Sequence, residues 1–545
     1  MAGKVKENIT RRTFMKGTGA GILAATGTGL ACNRSGSAQS SRSGTYTFET
    51  PPPPIPANDI KQSISAEIVV IGAGTSGLVC ANAAIEGGAE VVVIASSSAP
   101  VGRGGSIHAF NSKLTRRLGL AADPAREFKD EMKCHSFKID QEKWWLWARK
   151  SGEAMDWLID KMEDAGYRSV IEMCNTDPEG IMTMYPGSHS WLGDNIKTAG
   201  RSQQLVVNVL AKSARAHGAR IFYNTTAVQL VRENNNTGRV RAVIARTPNG
   251  AYCTYEGAKA VVLATGDFKD EEMVEKYCPW MLPLVKEGAG IYTGDGHKMG
   301  LWVGAAWQRT IPNAPMLIGG VGPGTQPYRA FTGLVVNKNA VRYGNEDCIV
   351  SFAAAAQMQQ PASTIFAIWD YAYAEQAAPW IPFGAYYGGP FEVPVQSVID
   401  EWKSSVKTGA MVQADTLDEL ARKLGLPVDP LKATVEKYNR FCKTGVDEDY
   451  GKRAGLLIPV ERPPFFSETS RAPSLLCISG GLRTNAKMQV LDKNEKVIPG
   501  LYAVGTIVGD MYSGIYTFME PGHNLGANCV TFGYLVGKDI ARADG

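Results

Sequence analysis

Three glycines in the first hundred residues have a spacing that suits the binding of a diphosphate group. They are Gly72, Gly74 and Gly77. Gly72 permits a tight turn, Gly74 lacks a Cβ and lets the backbone approach a ligand, and Gly77 allows a helix to pack closely on a strand. We therefore predict a dinucleotide site at this turn. The alternative is a tight strand–helix turn that holds no ligand.

The elements around this turn are those that such a site requires. An apolar strand over Ile68–Ile71 precedes the glycines, a helix of small residues follows them, and a second apolar strand covers Val91–Ile94. The helix N-terminus presents unpaired N–H groups and a favourable dipole to a diphosphate. An acidic residue usually follows the second strand and binds a ribose hydroxyl. Ser96–Ser98 stand there instead, and we predict that Ser96 takes this role.

Further glycine-rich turns are candidates for other parts of the same site. The loop at 100–111 is rich in glycine and is suited to pass close to a planar ring. The segment 220–264 is predicted to be β-rich and to end in the turn Thr265-Gly266. The glycine-rich turn within 522–533 leads into a final helix, so it would aim N–H dipoles at one end of a ligand.

The composition excludes several classes of function. With 57 Lys and Arg against 53 Asp and Glu, the net charge is only +4, so no nucleic-acid partner is predicted. The ten cysteines are scattered, without a CxxC or CxxCH motif. We therefore expect no covalent c-type haem, and we predict no metal site. An iron–sulfur cluster gathered from distant cysteines is an open alternative to buried apolar thiols.

The first 59 residues are predicted to precede the folded body. Residues 1–32 contain the sequence Arg-Arg-x-Phe at 11–14 and then a short apolar run, which is typical of twin-arginine signals. Residues 33–59 are rich in Ser, Gly and Pro and are predicted to be a disordered linker. Export would place the protein in the periplasm or on the outer face of the cytoplasmic membrane. Cys32 is a candidate for lipid attachment there, with signal cleavage nearby as the alternative.

A set of short motifs recurs in order from Ser65 to the end of the chain. They are Gly72-Ala73-Gly74-Thr75-Ser76-Gly77, Ala264-Thr265-Gly266, Gly294-Asp295-Gly296, Val336-Asn337-Lys338, Asn345-Glu346, Pro499-Gly500-Leu501-Tyr502-Ala503 and Thr531-Phe532-Gly533. In this order they resemble the fumarate reductase/succinate dehydrogenase flavoprotein superfamily, which includes urocanate reductase-like and 3-ketosteroid dehydrogenase-like members.

This resemblance implies an α/β fold, with a Rossmann-like FAD-binding domain and an inserted α+β capping domain. Residues 60–318 and 462–545 would form the FAD-binding domain, and residues 319–461 would form the cap, with substrate held between them. Within the cap, Leu334–Asn339 and Arg342–Glu346 suggest a strand and a return strand. The resemblance further implies FAD bound by Gly72, Gly74, Ser76, Gly77, Ser96, Gly104, Gly105, Ser106, Ala227, Thr265, Gly266, Asp295, Gly505, Asp510, Asn524, Leu525 and Asn528.

The chain departs from this superfamily where fumarate is bound. No arginine follows closely after Glu346, no histidine directly precedes Gly480, and Asn524 stands at the position of a carboxylate-binding arginine. Arginine makes the strongest bidentate contact with a carboxylate, so we reject fumarate and other small dicarboxylates as substrates. Arg329 and Arg342 are candidates for orienting a substrate, although we expect Arg342 to form a salt bridge within the cap.

Aromatic and titratable side chains stand at the flavin end of the implied site. Tyr512, Tyr516 and Phe518 resemble the tyrosine-containing sites of the ketosteroid dehydrogenases and enone reductases of the superfamily. Such an apolar pocket suits a flat, weakly charged substrate. Tyr, Glu and His donate protons when their pKa is suitably placed, with core packing as the alternative role for each. The candidate catalytic residues are Tyr516, Glu520, His523 and Tyr387.

The predicted function is that of an exported FAD-dependent oxidoreductase acting on CH–CH groups. It would reduce an activated C=C bond, in an enone or enoate, of an aromatic or polycyclic small molecule during anaerobic respiration. Electrons would come from a separate partner such as a membrane-anchored cytochrome. Two alternatives stay open: a 3-ketosteroid-type dehydrogenase working in the oxidative direction, and a flavin-bearing electron-relay or binding protein without turnover.

Overall fold

The computed structural model describes residues 45–543 apart from 121, 173–183, 194–201, 288–291, 320–330, 332 and 377–394. The predicted export signal and Cys32 therefore lie outside the described residues. Within the described ranges, no helix combines the length and the apolar character needed to cross a membrane.

The strands of the described chain are numbered in sequence order. They are β1 (Ile60–Ile71), β2 (Val91–Ile94), β3 (Ile107–His108), β4 (Arg168–Ile171), β5 (Ser188–Leu192), β6 (Arg220–Phe222), β7 (Thr226–Arg232), β8 (Val240–Arg246), β9 (Tyr252–Leu263), β10 (Ala314–Ile318), β11 (Leu334–Asn337), β12 (Ile365–Asp370), β13 (Val412–Ala414), β14 (Phe465–Ser470), β15 (Ser474–Ser479), β16 (Gln489–Leu491) and β17 (Val497–Ala503).

The α-helices are numbered in the same way. They are α1 (Thr75–Glu86), α2 (Lys113–Arg117), α3 (Pro124–Cys134), α4 (Gln141–Asp164), α5 (Gln203–Ala216), α6 (Glu271–Tyr277), α7 (Leu282–Glu287), α8 (Asp295–Trp302), α9 (Val350–Met358), α10 (Tyr373–Gln376), α11 (Val395–Thr408), α12 (Leu417–Leu424), α13 (Val428–Thr444) and α14 (Phe532–Arg542). Short helical turns cover Thr47–Glu49, Ala57–Asp59, Glu233–Asn236, Pro279–Met281, Pro361–Ser363 and Ala454–Leu456, and a π-helical segment covers Leu525–Thr531.

A central sheet with the strand order β16-β17-β9-β1-β2-β6 organises the fold. β17, β9, β1, β2 and β6 are parallel to one another, whereas β8 and β7 continue from β9 in antiparallel fashion. The register sets Ile71 beside both Ile94 and Leu263, and Ala503 beside Leu263. The carboxyl ends of these strands therefore meet at one edge, which is where parallel α/β sheets bind their ligands. The predicted β-rich character of residues 220–264 is confirmed.

The apolar runs of the sequence form the middle of this sheet. Ile68–Ile71 and Val91–Ile94 are almost completely buried, as expected for parallel strands that are covered on both faces. The C-terminal helix α14 packs closely on α1, because a Cβ at Gly537 would lie 2.4 Å from the backbone oxygen of Cys80. Both ends of the described chain thus build one α/β unit, and the predicted fold class is confirmed.

A second, antiparallel sheet has the strand order β11-β12-β14-β13. We call this sheet with α10–α13 the cap. Its helices contribute buried apolar side chains such as Leu420 and Leu431. α12 begins after Thr416, whose hydroxyl accepts the N–H of Glu419, and it ends at Gly425 in the left-handed conformation. Sequence pattern alone thus delimits this helix.

One sequence-based expectation for the cap differs from the structure. The return strand predicted over Arg342–Glu346 is not formed; β11 pairs with β12 instead. β14, which follows residue 461, pairs with both β12 and β13. The cap sheet therefore takes its strands from distant parts of the chain.

Two smaller elements complete the surroundings of the sheet edge. β10 and β15 form an antiparallel pair, and β3, β5 and β4 form a three-stranded antiparallel sheet. The helices α3 and α4 begin after Asp123 and Asp140, whose carboxylates accept N–H groups of their first turns. These elements flank the C-terminal loop described below.

Candidate active site

A cleft of about 970 Å³ opens at the carboxyl edge of the central sheet. Its walls include the turn that follows β1, the Ser96-Ser97 turn after β2, residues 264–267 after β9, and the loop at 522–525. This is the position at which doubly wound sheets bind dinucleotides, and the volume lies at the upper end of the range for ligand pockets.

The glycine turn after β1 has the geometry of a diphosphate cradle. Gly72 has φ of 119°, and a Cβ there would lie 2.3 Å from the backbone oxygen of Ala264. At Gly74 the nearest protein atom to such a Cβ is 3.7 Å away, so the missing side chain leaves room towards the cleft. Gly74, Thr75 and Ser76 line the cleft at the N-terminus of α1. The backbone donors and the free space fit a dinucleotide diphosphate.

Most of the predicted cofactor-binding residues lie together in this cleft. The lining includes Gly72, Gly74, Ser76, Ser96, Gly104, Gly105, Ser106, Ala227, Thr265, Gly266, Asp295, Asn524 and Leu525. Four others lie outside the lining: Gly77, Gly505, Asp510 and Asn528.

Gly77 and Gly505 shape the cleft wall from behind. A Cβ at Gly77 would lie 2.0 Å from the backbone oxygen of Gly72, so only glycine lets α1 approach β1 this closely. A Cβ at Gly505 would lie 2.5 Å from the hydroxyl of Ser76, and φ at Gly505 is 89°. Both positions act through packing.

Asp510 and Asn528 are used in hydrogen bonds to the protein. Asp510 accepts the backbone N–H groups of Arg309 at 2.8 Å and Thr310 at 3.0 Å. Asn528 donates to the side-chain oxygen of Asn524 at 2.9 Å. Asn528 therefore orients a lining residue, whereas Asp510 fixes a loop.

Several lining side chains were not predicted from the sequence. Arg103 lies in the glycine-rich loop at 100–111 that the sequence analysis identified, so its position could have predicted that it lines the cleft. Met316 and Ile318 come from β10, and Leu476 and Cys477 come from β15. No local motif marks these strands as part of the site, because their position at the cleft depends on their pairing with each other.

The positive charge in the cleft is already neutralised. Among the described lining residues, Arg103 is the single Lys, Arg or His. Its Nη1 lies 2.7 Å from Oδ1 of the fully buried Asp267, and its guanidinium carbon lies 3.7 Å from the centre of the Tyr292 ring. The Arg103 guanidinium is thus committed to a carboxylate of the protein.

One end of the cleft is apolar and aromatic. Tyr516 and Phe518 line it in a perpendicular arrangement, with their ring centres 4.7 Å apart. The Tyr516 hydroxyl accepts the backbone N–H of Asn524 at 3.4 Å and lies 3.5 Å from the backbone oxygen of Glu520. Burial raises the pKa of Tyr516, so its phenol is neutral at physiological pH. A neutral phenol is a proton donor.

Glu520 and His523 do not line the cleft but lie behind it, with Glu131 of α3 and His135, the residue that follows α3. The four side chains form the Glu131 cluster. Nε2 of His135 lies 2.9 Å from a Glu131 oxygen, and Nδ1 of His523 lies 3.9 Å from Glu131 and 3.8 Å from Glu520. The structure therefore places two of the predicted catalytic residues, Glu520 and His523, next to each other, behind the residues that line the cleft.

Burial governs the charges of this cluster. Burial and the adjacent Glu131 raise the pKa of Glu520 well above its usual range. Burial alone would also raise the pKa of Glu131, but hydrogen bonding to Glu520 and the nearby His135 lower it overall. Burial lowers the pKa of His523 to about 4. At neutral pH the two carboxyl groups therefore share one proton, and His523 is neutral.

The other candidates from the sequence lie elsewhere. Tyr387 and Arg329 fall outside the described residues. Arg342 forms the expected salt bridge within the cap, where it contacts Glu346 at 2.8 Å and Asp447 at 2.9 Å. The eight cysteines of the described part are free thiols, and none belongs to a group of three metal-ligating side chains there.

Several known proteins are similar to this chain in sequence, and solved structures are similar to it in fold. Residues 67–519 match the FAD binding domain family. A vinyl phenol reductase of Lactiplantibacillus plantarum is 24% identical over 505 residues, covering 88% of this chain and 96% of that protein. A 3-oxosteroid 1-dehydrogenase of Mycobacterium tuberculosis is 28% identical over 419 residues, covering 68% of each. The open conformation of a flavocytochrome c3 fumarate reductase is similar in structure, with a TM-score of 0.64 at 23% identity, over 88% of this chain and 79% of that one.

Proposed function

Since the chain belongs to the FAD binding domain family, we propose that it reduces an activated C=C bond of an aromatic or polycyclic small molecule. The protein is an FAD-dependent oxidoreductase acting on CH–CH groups, as its relatives are. Our proposal concerns the substrate class, the direction of the reaction and the source of electrons.

The charge of the cleft is the observation that carries this proposal. Arg103, the single Lys, Arg or His of the described lining, is paired with the buried Asp267. A dicarboxylate would lose its hydration without gaining a free cation, and an uncompensated buried charge costs several kcal/mol. An aromatic alkene with little charge avoids this cost against the apolar wall formed by Met316, Ile318 and Phe518.

The relatives support an aromatic substrate. The vinyl phenol reductase aligns over 88% of this chain, and its name specifies a phenolic alkene. We therefore rank vinylphenols and aromatic enones first, the singly charged cinnamates after them, and small aliphatic acids last.

Different residues of the chain would bind the cofactor and donate the proton in this reduction. When bound, FAD supplies hydride chemistry at one carbon of the double bond, so the other carbon must receive a proton. Gly74 and Ser76 would bind the diphosphate, and the Ser96 hydroxyl would bind ribose. Tyr516 would donate the proton from its phenol and regain it from solvent.

The remaining candidates act around Tyr516 in this proposal. Asn524 holds the Tyr516 oxygen through its backbone N–H. Glu520 and His523 are positioning residues in this proposal. They do not line the cleft, but they belong to the same loop as Tyr516 and Asn524, which do. Tyr387 is retained as a second candidate donor.

We propose that the electrons come from a separate redox partner, such as a membrane-anchored cytochrome. The sequence has no CxxCH motif that would attach a haem to this chain. The Arg-Arg-x-Phe sequence at 11–14 supports export by the twin-arginine route to the periplasm or the outer face of the cytoplasmic membrane. Mass spectrometry of the mature N-terminus tests both the cleavage site and lipid attachment at Cys32.

The test is an anaerobic assay of the flavin-loaded protein with reduced methyl viologen. Bleaching would be followed with 4-vinylphenol, a cinnamate, an aromatic enone and fumarate. We expect kcat/KM for an aromatic alkene to exceed that for fumarate by roughly 100-fold or more, equivalent to about 2.7 kcal/mol. Efficient fumarate turnover would contradict the proposal, as would no turnover of any alkene.

Tyr516→Phe provides the matched variant for the proton donor. Removal of the hydroxyl should lower kcat by about 10²- to 10⁴-fold, with flavin content and KM little changed. An unchanged kcat would exclude Tyr516 and leave Tyr387→Phe as the next variant to assay.

The oxidative alternative has its own support, because the 3-oxosteroid 1-dehydrogenase is 28% identical over 68% of this chain. Aerobic incubation with a saturated 3-ketosteroid and a dye acceptor decides between the directions. Dye reduction without comparable viologen oxidation by any alkene would establish the dehydrogenase.

A further inference from the structure

The Glu131 cluster contains a donor set of a kind that binds metal ions. Glu131 comes from α3, whereas Glu520 and His523 come from the loop before the π-helical segment. One ligand atom from each of these three side chains can be chosen so that all lie within 4.8 Å of one another. The separations of 3.8–3.9 Å between His523 Nδ1 and the two carboxylates are a few tenths of an ångström longer than the roughly 3.3–3.6 Å between ligands of a tetrahedral ion at about 2.0–2.2 Å, so small side-chain rotations would bring the three atoms onto one ion.

The His523 side chain lacks the partners that buried polar groups normally have. Both of its ring nitrogens are without a hydrogen-bond partner among the described residues, whereas the Glu520 carboxyl is hydrogen-bonded to Glu131. The side chains of Glu520 and His523 are 0% and 2% exposed. Within the described ranges, neither carboxylate of the cluster forms an ion pair with Lys or Arg. Native proteins rarely leave such groups unsatisfied.

The surroundings hold the three side chains in fixed orientations. Thr517 donates to Glu131 at 2.5 Å, and His135 lies 2.9 Å from the other Glu131 oxygen. The Trp147 ring stacks on His523 with ring centres 4.0 Å apart and planes 20° apart. A hydrogen bond to a ligating carboxylate is an outer contact that metal sites use, and the stacked Trp147 ring fixes the plane of the His523 imidazole.

We propose that Glu131, Glu520 and His523 bind a divalent first-row transition-metal ion. Two carboxylates and one neutral imidazole suit Zn²⁺ or Mn²⁺ and disfavour Cu⁺, which prefers sulfur ligands. The ion would tie α3 to the loop that carries Tyr516 and Asn524, so its role is to position the cleft wall.

The competing account is a proton shared by the two carboxyl groups, and Glu520→Gln separates the two. A glutamine preserves the shape of a neutral Glu520 but is a poor metal ligand. His523→Gln removes the imidazole in the same site. His189→Gln is the matched control, because His189 is equally buried but its nitrogens face Gly187, Ile107 and Ser112.

The experiment measures metal and flavin together. The full chain would be produced in medium supplemented with Zn²⁺ or Mn²⁺, purified, and analysed by plasma mass spectrometry. We expect about one metal ion per flavin in the wild type, and at least a tenfold loss in Glu520→Gln and His523→Gln. His189→Gln should keep its metal. Anomalous scattering at the metal edge should place the ion between the three side chains.

Two results would overturn the proposal. One is wild-type protein without metal above background after supplementation. The other is bound metal that both Glu520→Gln and His523→Gln retain, since the ion would then lie elsewhere. Should a variant fail to fold, wild-type protein stripped by chelator decides: its Tm should fall and recover when Zn²⁺ or Mn²⁺ is restored, and an unchanged Tm with the metal removed counts against the site.

Discussion

Two clusters of buried carboxylates, one in the cap and one behind the cleft, are neutralised in different ways. In the cap, Arg342, Glu346, Asp447 and Lys452 form the Arg342 cluster. The guanidinium makes two hydrogen bonds to each carboxylate at 2.8–3.0 Å, and Lys452 lies 3.5 Å from Glu346. Here cations of the chain itself compensate the negative charge.

In the Glu131 cluster, neither carboxylate is paired with Lys or Arg among the described residues. Glu131 and Glu520 face the imidazoles of His135 and His523, and burial keeps His523 neutral. The metal ion that we propose would add positive charge between the two carboxylates. The comparison teaches that Arg and Lys side chains compensate the buried carboxylates of the cap, whereas the carboxylates behind the cleft are surrounded by imidazoles.

The strongest test of this contrast is Arg342→Met. Removing the guanidinium leaves Glu346 and Asp447 buried without their main partner, which should cost about 3–5 kcal/mol of stability. Hydrogen exchange of cap peptides across a urea series measures the loss. Arg440→Ala is the control, since its exposed pair with Glu436 should contribute less than about 0.5 kcal/mol. A loss below about 1 kcal/mol in Arg342→Met would remove the contrast.

Thr517→Val probes the other cluster. The Thr517 hydroxyl donates to Glu131 at 2.5 Å, and a hydrogen bond to a buried charged group contributes about 1.5–3 kcal/mol. We expect a loss in that range by urea unfolding of the flavin-loaded protein. Thr517→Ser keeps the donor and should lose much less. Equal losses in the two variants would indicate packing of the methyl group instead.

Acid should destabilise α8 and the Arg342 cluster of the cap in different pH ranges. Burial lowers the pKa of His297 to about 4, below its ordinary value of 6.5. The unfolded chain then binds more protons, so stability near α8 should fall as the pH drops from 6.5 to 4. For Asp447, burial alone would raise the pKa, but the Arg342 hydrogen bonds lower it to about 2. The stability that ionised Asp447 contributes is fully present above about pH 4 and is lost as the pH falls through 2.

His297→Gln isolates the first of these effects. Between pH 7 and pH 5, the free energy of unfolding should fall by about 2 kcal/mol less in the variant than in the wild type, because the variant lacks the imidazole that the unfolded chain protonates. Hydrogen exchange of α8 peptides at pH 7 and 5, with cap peptides as the internal control, checks this. Equal acid sensitivity of wild type and variant would contradict the assignment.

Asp267→Asn should create in the cleft the unpaired cation that it lacks. Arg103 would then be free to bind a substrate carboxylate, so kcat/KM for a cinnamate relative to vinylphenol should rise about tenfold. Glu271→Gln, which alters an exposed carboxylate, should leave this ratio unchanged. A constant ratio in Asp267→Asn would mean that Arg103 does not face the substrate.

Local sequence predicted the parts of the molecule that backbone conformation determines. Gly72 and Gly77 occupy positions where a Cβ would collide with the backbone, so their identity reports the turn directly. The apolar runs of β1 and β2 similarly report strands buried on both faces. The fold class and the family therefore followed from short motifs in order.

The remainder depends on residues that meet only in three dimensions. Arg103 and Asp267 are 164 positions apart, and Thr517 and Glu131 are 386 apart. Nothing in the local pattern around α3 indicates that Glu131 lies beside the C-terminal loop. The pairing of β14 with β12 and β13 is likewise a contact between distant parts of the chain, which the local sequence of β14 does not indicate.

The place of β17 beside β9 in the central sheet has a consequence for biosynthesis. A ribosome makes β1, β2 and β9 first, yet the wall of the cleft is incomplete until β17, the Tyr516 loop and α14 have emerged. We therefore expect flavin capture to follow the synthesis of β17, the Tyr516 loop and α14. A nascent chain stalled before β17 would be an apoprotein with an uncovered sheet edge, a natural substrate for chaperones.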